Sequence, residues 1–167
     1  MVGRFFSAGP DFIKLFRAAR RVSSRVQAVE VSYFIQMTED EEKVRRAVDG
    51  LMGGEHAPER EEAEGHFGNK IVWSRHHVTG READEAVGAI LSKIDPSERK
   101  TVLGDLGAFV DEHGALYIRL SKQVLVMEGR AVLASSDPIR VKVKPRSFVM
   151  KGDPEAFYSS LFEGAEP

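Results

Sequence analysis

The chain of 167 residues contains no cysteine, which excludes a disulfide framework, a thiolate zinc site, an iron-sulfur cluster and a cysteine nucleophile in one step. It also lacks any apolar run near the roughly 20 residues that a membrane span requires. The amino-terminal MVGRFFSAGPDF holds no apolar stretch of the about 7 to 15 residues that marks a secretory signal. The cytoplasm is therefore the expected compartment, and no membrane is expected as a partner. Catalytic signatures are missing as well. Gly65, Gly68 and Lys70 do not meet the spacing of a Walker loop, and there is no His-Glu-x-x-His pattern and no Gly-x-Ser-x-Gly elbow. His77-Val78-Thr79 is one half of a two-histidine phosphoesterase signature. The other half is absent, because His56, His66 and His113 are followed two positions later by Pro58, Gly68 and Ala115. Glu62, Glu64 and His66 offer a possible oxygen and nitrogen set, but no metal-binding motif accompanies them, and the adjacent His76 and His77 would point to opposite faces of a strand. The expectation is no catalytic residue, no metal and no cofactor.

What is present is an ordinary soluble composition, 42% apolar and 30% charged, enough for one domain with a sizeable core. Net charge is only −2, but it is unevenly placed. Residues 1–30 carry six basic and two acidic residues, 38–64 carry four basic and ten acidic, and 114–151 carry eight basic and two acidic. The last block matters most, because it lies in strand-like sequence where side chains take fixed directions.

Alternation predicts a half-buried strand over Gln27 to Met37, with Val29, Val31, Tyr33, Ile35 and Met37 in one phase and Phe34 in the other. Thr38 and Glu41 form a capping box ahead of a helix through Leu51. Gly53 to Gly65 reads as an acidic loop whose end may enter a strand, and Ile71 to Val78 reads as a second strand. Thr79 and Glu82 open a helix with the stripe Ala83, Ala86, Val87, Ile90 and Ile94. Asp95, Pro96 and Glu98 open another, with Val102, Leu103 and Leu106 inward. Ala115 to Leu120 and Ile139 to Lys144 alternate as strands, and Lys122 to Ala134 between them is ambiguous. Asp153-Pro154 caps a tail helix bearing Phe157 and Leu161.

This order predicts an α+β, two-layer sandwich with a mixed or antiparallel sheet and helices on one face. The expected organisation is an amphipathic basic extension over 1–26, an α+β domain over 27–146 and a tail over 147–167. In the extension, Phe12, Ile13, Leu15, Phe16, Ala19 and Val22 form an apolar stripe among Lys14, Arg17, Arg20, Arg21 and Arg25. Such a stripe can dock on its own domain, swap onto a second copy of the chain, or lie on RNA or an anionic membrane surface; docking or self-association is expected, because exposed Phe12 and Phe16 would form a sticky apolar patch. The uncovered sheet face is left to Phe34, Tyr117, Arg119, Arg140, Lys142 and Lys144, rings among cations that suit single-stranded RNA, although an antiparallel sheet routinely exposes Lys and Arg to solvent and these residues by themselves favour that reading.

GHFGNKI at 65–71, LYIRLSKQ at 116–123 and DPIRVKV at 137–143 together resemble an archaeal RNA-binding family described as a predicted exosome subunit. Members of that family are similar in fold to the large-subunit ribosomal protein that binds the smallest ribosomal RNA. The resemblance spans about Val29 to Lys144, with Phe67 and Lys70 standing where the family has His and Pro. It implies a ribosomal-protein-like fold, an RNA-associated role in an archaeal cytoplasm, and RNA, exosome or ribosome-associated proteins as partners. Arg119, Lys122 and Gln123 match the family best and supply a donor fork, an ammonium and an amide suited to phosphate and one base edge. Their structural alternative is an Arg119 pair with Asp111 or Glu112 and a turn capped by Gln123. His66 and Asn69 sit in a glycine turn that either meets phosphate or simply turns the chain. The expected RNA-binding set is Arg119, Lys122, Gln123, Arg140, Lys142, Lys144, Tyr117, His66 and Asn69. The expected function is non-catalytic RNA binding in RNA processing, with a protein-interaction or homodimer module built on the sheet and amino-terminal helix as the alternative.

Overall fold

The computed structural model describes residues 25–147 and 151–165. The amphipathic stretch read over 12–22 lies outside the described residues. Five strands, β1 (Val26–Gln36), β2 (Glu59–Glu64), β3 (Lys70–Thr79), β4 (Leu116–Ser121) and β5 (Pro138–Pro145), form one sheet in the order β2-β3-β1-β5-β4. All four strand pairs are antiparallel, so every connection is free of parallel crossovers within the sheet. The helices are α1 (Glu41–Met52), α2 (Gly80–Lys93), α3 (Pro96–Gly104), α4 (Lys122–Glu128) and α5 (Pro154–Gly164), with a 3-10 turn at Leu106–Ala108.

The core sits between the sheet and α1, α2 and α5. One phase of every strand but β2 supplies it: Val29, Val31, Tyr33 and Ile35 from β1, Val72 and Val78 from β3, Ile118 and Leu120 from β4, and Val141 and Val143 from β5. These meet Val48 and Leu51 of α1 and the predicted stripe Ala83, Ala86, Val87 and Ile90 of α2. Fully burying such a side chain contributes about 1.5–3 kcal/mol, and the alternation makes each of these four strands contribute on one side only. The tail helix belongs to this core. Tyr158 and Phe162 are buried, and the Tyr158 hydroxyl donates to the Gly114 carbonyl at 2.7 Å.

Several local expectations shift. Asp40, not Thr38, caps α1, accepting from the amides of Glu42 and Lys43, so the helix starts two residues later than the capping box suggests. The Thr79 side chain makes no cap hydrogen bond on α2. Leu103 faces outward while Val102 and Leu106 are buried, and in α5 the buried phase is Tyr158 and Phe162, with Phe157 and Leu161 only packed alongside. β1 ends at Gln36, which leaves Met37 exposed. The ambiguous stretch after β4 opens as a helix: the Ser121 hydroxyl accepts from the Val124 amide, and Gly129 closes it at a positive φ of 69°. No helix among the described residues is long and apolar enough to cross a membrane.

Candidate RNA interface on the open sheet face

The face of the sheet opposite the helices carries the second phase of each strand. Register places its side chains in cross-strand rows. In one row Glu59 opposes Arg75, Arg75 opposes Ser32, Ser32 opposes Arg140 and Arg140 opposes Arg119. In the row beside it Glu61 opposes Trp73 and Trp73 opposes Phe34. On the other side His77 opposes Glu30, Glu30 opposes Lys142 and Lys142 opposes Tyr117. Lys144 lies one further step along β5. Antiparallel pairing thus gathers residues from 30 to 144 onto one surface.

Three rings on this face, those of Phe34, Trp73 and Tyr117, each lie under a cation. The Arg140 guanidinium carbon is 5.7 Å from the Phe34 ring centre, the Lys142 Nζ is 5.0 Å from that of Tyr117, and the Arg75 guanidinium carbon is 5.9 Å from that of Trp73. A hydrogen bond with Tyr117 raises the Lys142 ammonium above its ordinary value despite some desolvation, so the charge is secure at neutral pH. Among the described residues, the one acid in the middle of the face is Glu30. Its carboxylate lies 3.0 Å from Lys144 Nζ, 3.8 Å from His77 Nδ1 and 3.9 Å from Arg75 Nε. Burial pushes this carboxyl upward, but the cations, Lys144 foremost, outweigh that and hold it below the usual carboxylate range. Glu30 therefore stays ionised and aligns its neighbours. Arg119 and Arg140 make no ion pair among the described residues, so their charge is uncompensated; the alternative reading of Arg119, a pair with Asp111 or Glu112, is not formed.

The expected set divides. Tyr117, Arg119, Arg140, Lys142 and Lys144 come together on the open face. Lys122 does not: its side chain is 3% exposed, and Nζ donates to the Phe34 carbonyl at 2.6 Å and to Glu39 at 2.7 Å, with the Asp137 carboxylate 2.6 Å away. Its proton donors are all engaged inside the fold. Gln123 is exposed on α4 in a groove of about 690 Å³ between the α1 start and the 134–137 loop, off the sheet face. His66 and Asn69 stand at the β2–β3 turn, on the far side of the sheet from β4. That turn is explained locally: the Gly65 amide donates to the Asn69 carbonyl at 2.7 Å, a Cβ on Gly65 would meet Asn69 Oδ1 at 2.5 Å, and Gly68 has φ +74°.

Trp73 and Arg75 are the residues that sequence reasoning missed. They share the open phase of β3 with His77; alternation could have found Arg75, but not Trp73, because Ile71-Val72-Trp73 is apolar in both phases. His76, in the opposite phase, is buried. Its Nδ1 lies 2.8 Å from the His56 carbonyl, which can only accept, so Nδ1 carries the proton and Nε2 accepts from the Tyr33 hydroxyl at 3.0 Å. Among the described residues no three His, Asp or Glu side chains are grouped so as to hold a metal ion.

Comparison with known proteins bears on what this face meets. A family model described as RNA binding matches residues 28–145, which includes all five strands apart from the first two residues of β1. The chain is 34% identical over 141 residues to RNA-binding protein PAB1135 of Pyrococcus abyssi, covering 78% of this chain and 90% of that one. Protein AF2318 of Archaeoglobus fulgidus, a DUF54 protein of solved structure, superposes with a TM-score of 0.68 at 26% identity, over 82% of this chain and 99% of that one. A UPF0201 protein from Methanococcus jannaschii shares the fold alone, with a TM-score of 0.52 at 15% identity over 84% of this chain and 99% of that one.

Proposed function

The chain belongs to this family of RNA-binding proteins, and on that premise we propose that it binds RNA on the open sheet face. The observation that carries the reading is the grouping of Arg75, Arg119, Arg140, Lys142 and Lys144 with three rings on the face that, among the described residues, no helix covers. Phosphates take the guanidinium and ammonium groups, because counterion release from a polyanion supplies most of the affinity. Rings and side-chain donors add what selectivity there is.

The role is binding without chemistry. Glu30, the one carboxylate central to the face, is held ionised by Lys144 and its neighbours, and His77 beside it has no second histidine partner across a substrate position. Association with RNA processing, through exosome or ribosome-associated proteins, belongs to the same proposal and rests on the motif resemblance at 65–71, 116–123 and 137–143, as does the likeness to a ribosomal protein fold.

Salt tests the reading. For a single strand the slope of log affinity against log salt falls by about 0.7 for each phosphate neutralised, so the exposed cations predict a steep, several-phosphate slope in fluorescence anisotropy. Binding that ignores salt would instead point to an apolar protein interface, the oligomerisation alternative.

A further inference from the structure

We propose, resting on the RNA-binding reading above, that this face selects single-stranded RNA by exchange: bases displace the cations that lie on its three rings, and the displaced cations move to the phosphates. The free protein holds each ring and its cation as a pair, Trp73 with Arg75, Phe34 with Arg140 and Tyr117 with Lys142, all at 5.0–5.9 Å. Phe34 and Tyr117 are 37% and 41% exposed, so a base can reach them once the cation swings aside. The pairs are also arranged for a strand rather than a single base. Arg75, Arg140 and Arg119 occupy one cross-strand row, with Trp73 and Phe34 in the adjacent row on one side and Lys142 and Tyr117 in the row on the other. A backbone following the arginine row can turn bases outward to both sides.

Magnitudes favour the exchange. A cation over an exposed ring strengthens that pairing by about two- to fivefold, whereas a base stacked on a ring strengthens binding by about five- to 150-fold. The released cation then gains a phosphate. At Arg75 the move gives up two long ion pairs, Nε lying 3.6 Å from Glu59 and 3.9 Å from Glu30, neither of them a hydrogen bond. An A-form duplex cannot make the exchange. Its bases are paired and stacked within the helix, so it presents phosphates, 2′-hydroxyls and base edges but no free ring face, and it meets the cations where they already lie.

Trp73 is the only tryptophan in the chain, so its emission reports this surface directly. The test titrates the full chain at low salt with a labelled oligouridylate and with a duplex of equal strand length, following RNA anisotropy and Trp73 emission together. The expected result is that the single strand binds at least about tenfold more tightly than the duplex, and that Trp73 emission falls in step with binding. Phe34→Leu and Tyr117→Leu, both at exposed positions, each weaken the single strand by about fivefold or more while duplex binding and the circular dichroism spectrum stay unchanged. Equal affinity for both RNAs, or single-strand binding with unchanged emission and no effect of either substitution, overturns the exchange and leaves an RNA face built on cations alone. Absence of binding by either RNA overturns the broader reading as well.

Discussion

Lys122 and the cations of β4 and β5 come from one basic stretch of sequence, yet they end in opposite environments. Arg119, Arg140, Lys142 and Lys144 alternate with core residues on strands whose other face is covered, so geometry sends them to the open side. Lys122 follows β4 by one residue, at the start of α4, and turns inward to Glu39 and Asp137. There it ties the end of β1, the approach to α1 and the loop before β5 into one cluster. Asp137 holds a φ of 43°, in the left-handed region, and its ion pair with Lys122 offsets that cost. The difference teaches that a cation's role is set by where its counter-charges fold, not by its neighbours in sequence.

The sharpest way to test this division is Lys122→Met. Removing one partner of a buried pair costs about 3–5 kcal/mol, and the lower end applies here because Glu39 and Asp137 keep water contact, at 27% and 45% side-chain exposure. Urea unfolding should show the loss, while RNA affinity per folded molecule stays at the wild-type level. Lower affinity at unchanged stability would move Lys122 into the interface.

The open face has its own internal contrast. Its β4–β5 side is basic, whereas β2 brings Glu59 and Glu61 to the edge beyond β3. These acids limit how far a polyanion can extend. Glu59→Lys with Glu61→Lys should raise RNA affinity severalfold and steepen its salt dependence; anisotropy across a salt series checks both. No change would mean that RNA never approaches β2.

A smaller effect concerns the covered side of β3. Burial lowers the pKa of His76 below its ordinary 6.5, and the hydrogen bond to the His56 carbonyl opposes this only in part. With the folded value below the unfolded one, the unfolded chain takes the proton first. The contribution of His76 to stability is therefore complete above about pH 6.5 and declines as pH falls below it. Proton NMR titration should find the His76 ring titrating below 6.5; a value at or above it would contradict the neutral Tyr33–His76–His56 chain.

Much of this was legible in sequence where one phase was clean. β1, β4 and β5 alternate without interruption, so their core and open residues were assigned together, and the α2 stripe was equally plain. β2 was obscured because Glu59–Glu64 is charged in both phases: as an edge strand with neither face buried, it has no alternation to show. Trp73 was hidden for the converse reason, since Ile71-Val72-Trp73 is apolar in both phases. α4 is too short for periodicity to separate helix from strand, and its caps at Ser121 and Gly129 decide it. Lys122 could not have been placed locally, because its carboxylate partners lie 83 and 15 residues away.

The most direct test of the account changes Arg119, Arg140, Lys142 and Lys144 to Glu together and compares this variant with wild type by fluorescence anisotropy on unstructured RNA across a salt series, with circular dichroism confirming the fold. The account predicts salt-sensitive binding by wild type and its loss in the folded variant. A folded variant that binds as wild type does, with the same salt slope, would contradict it.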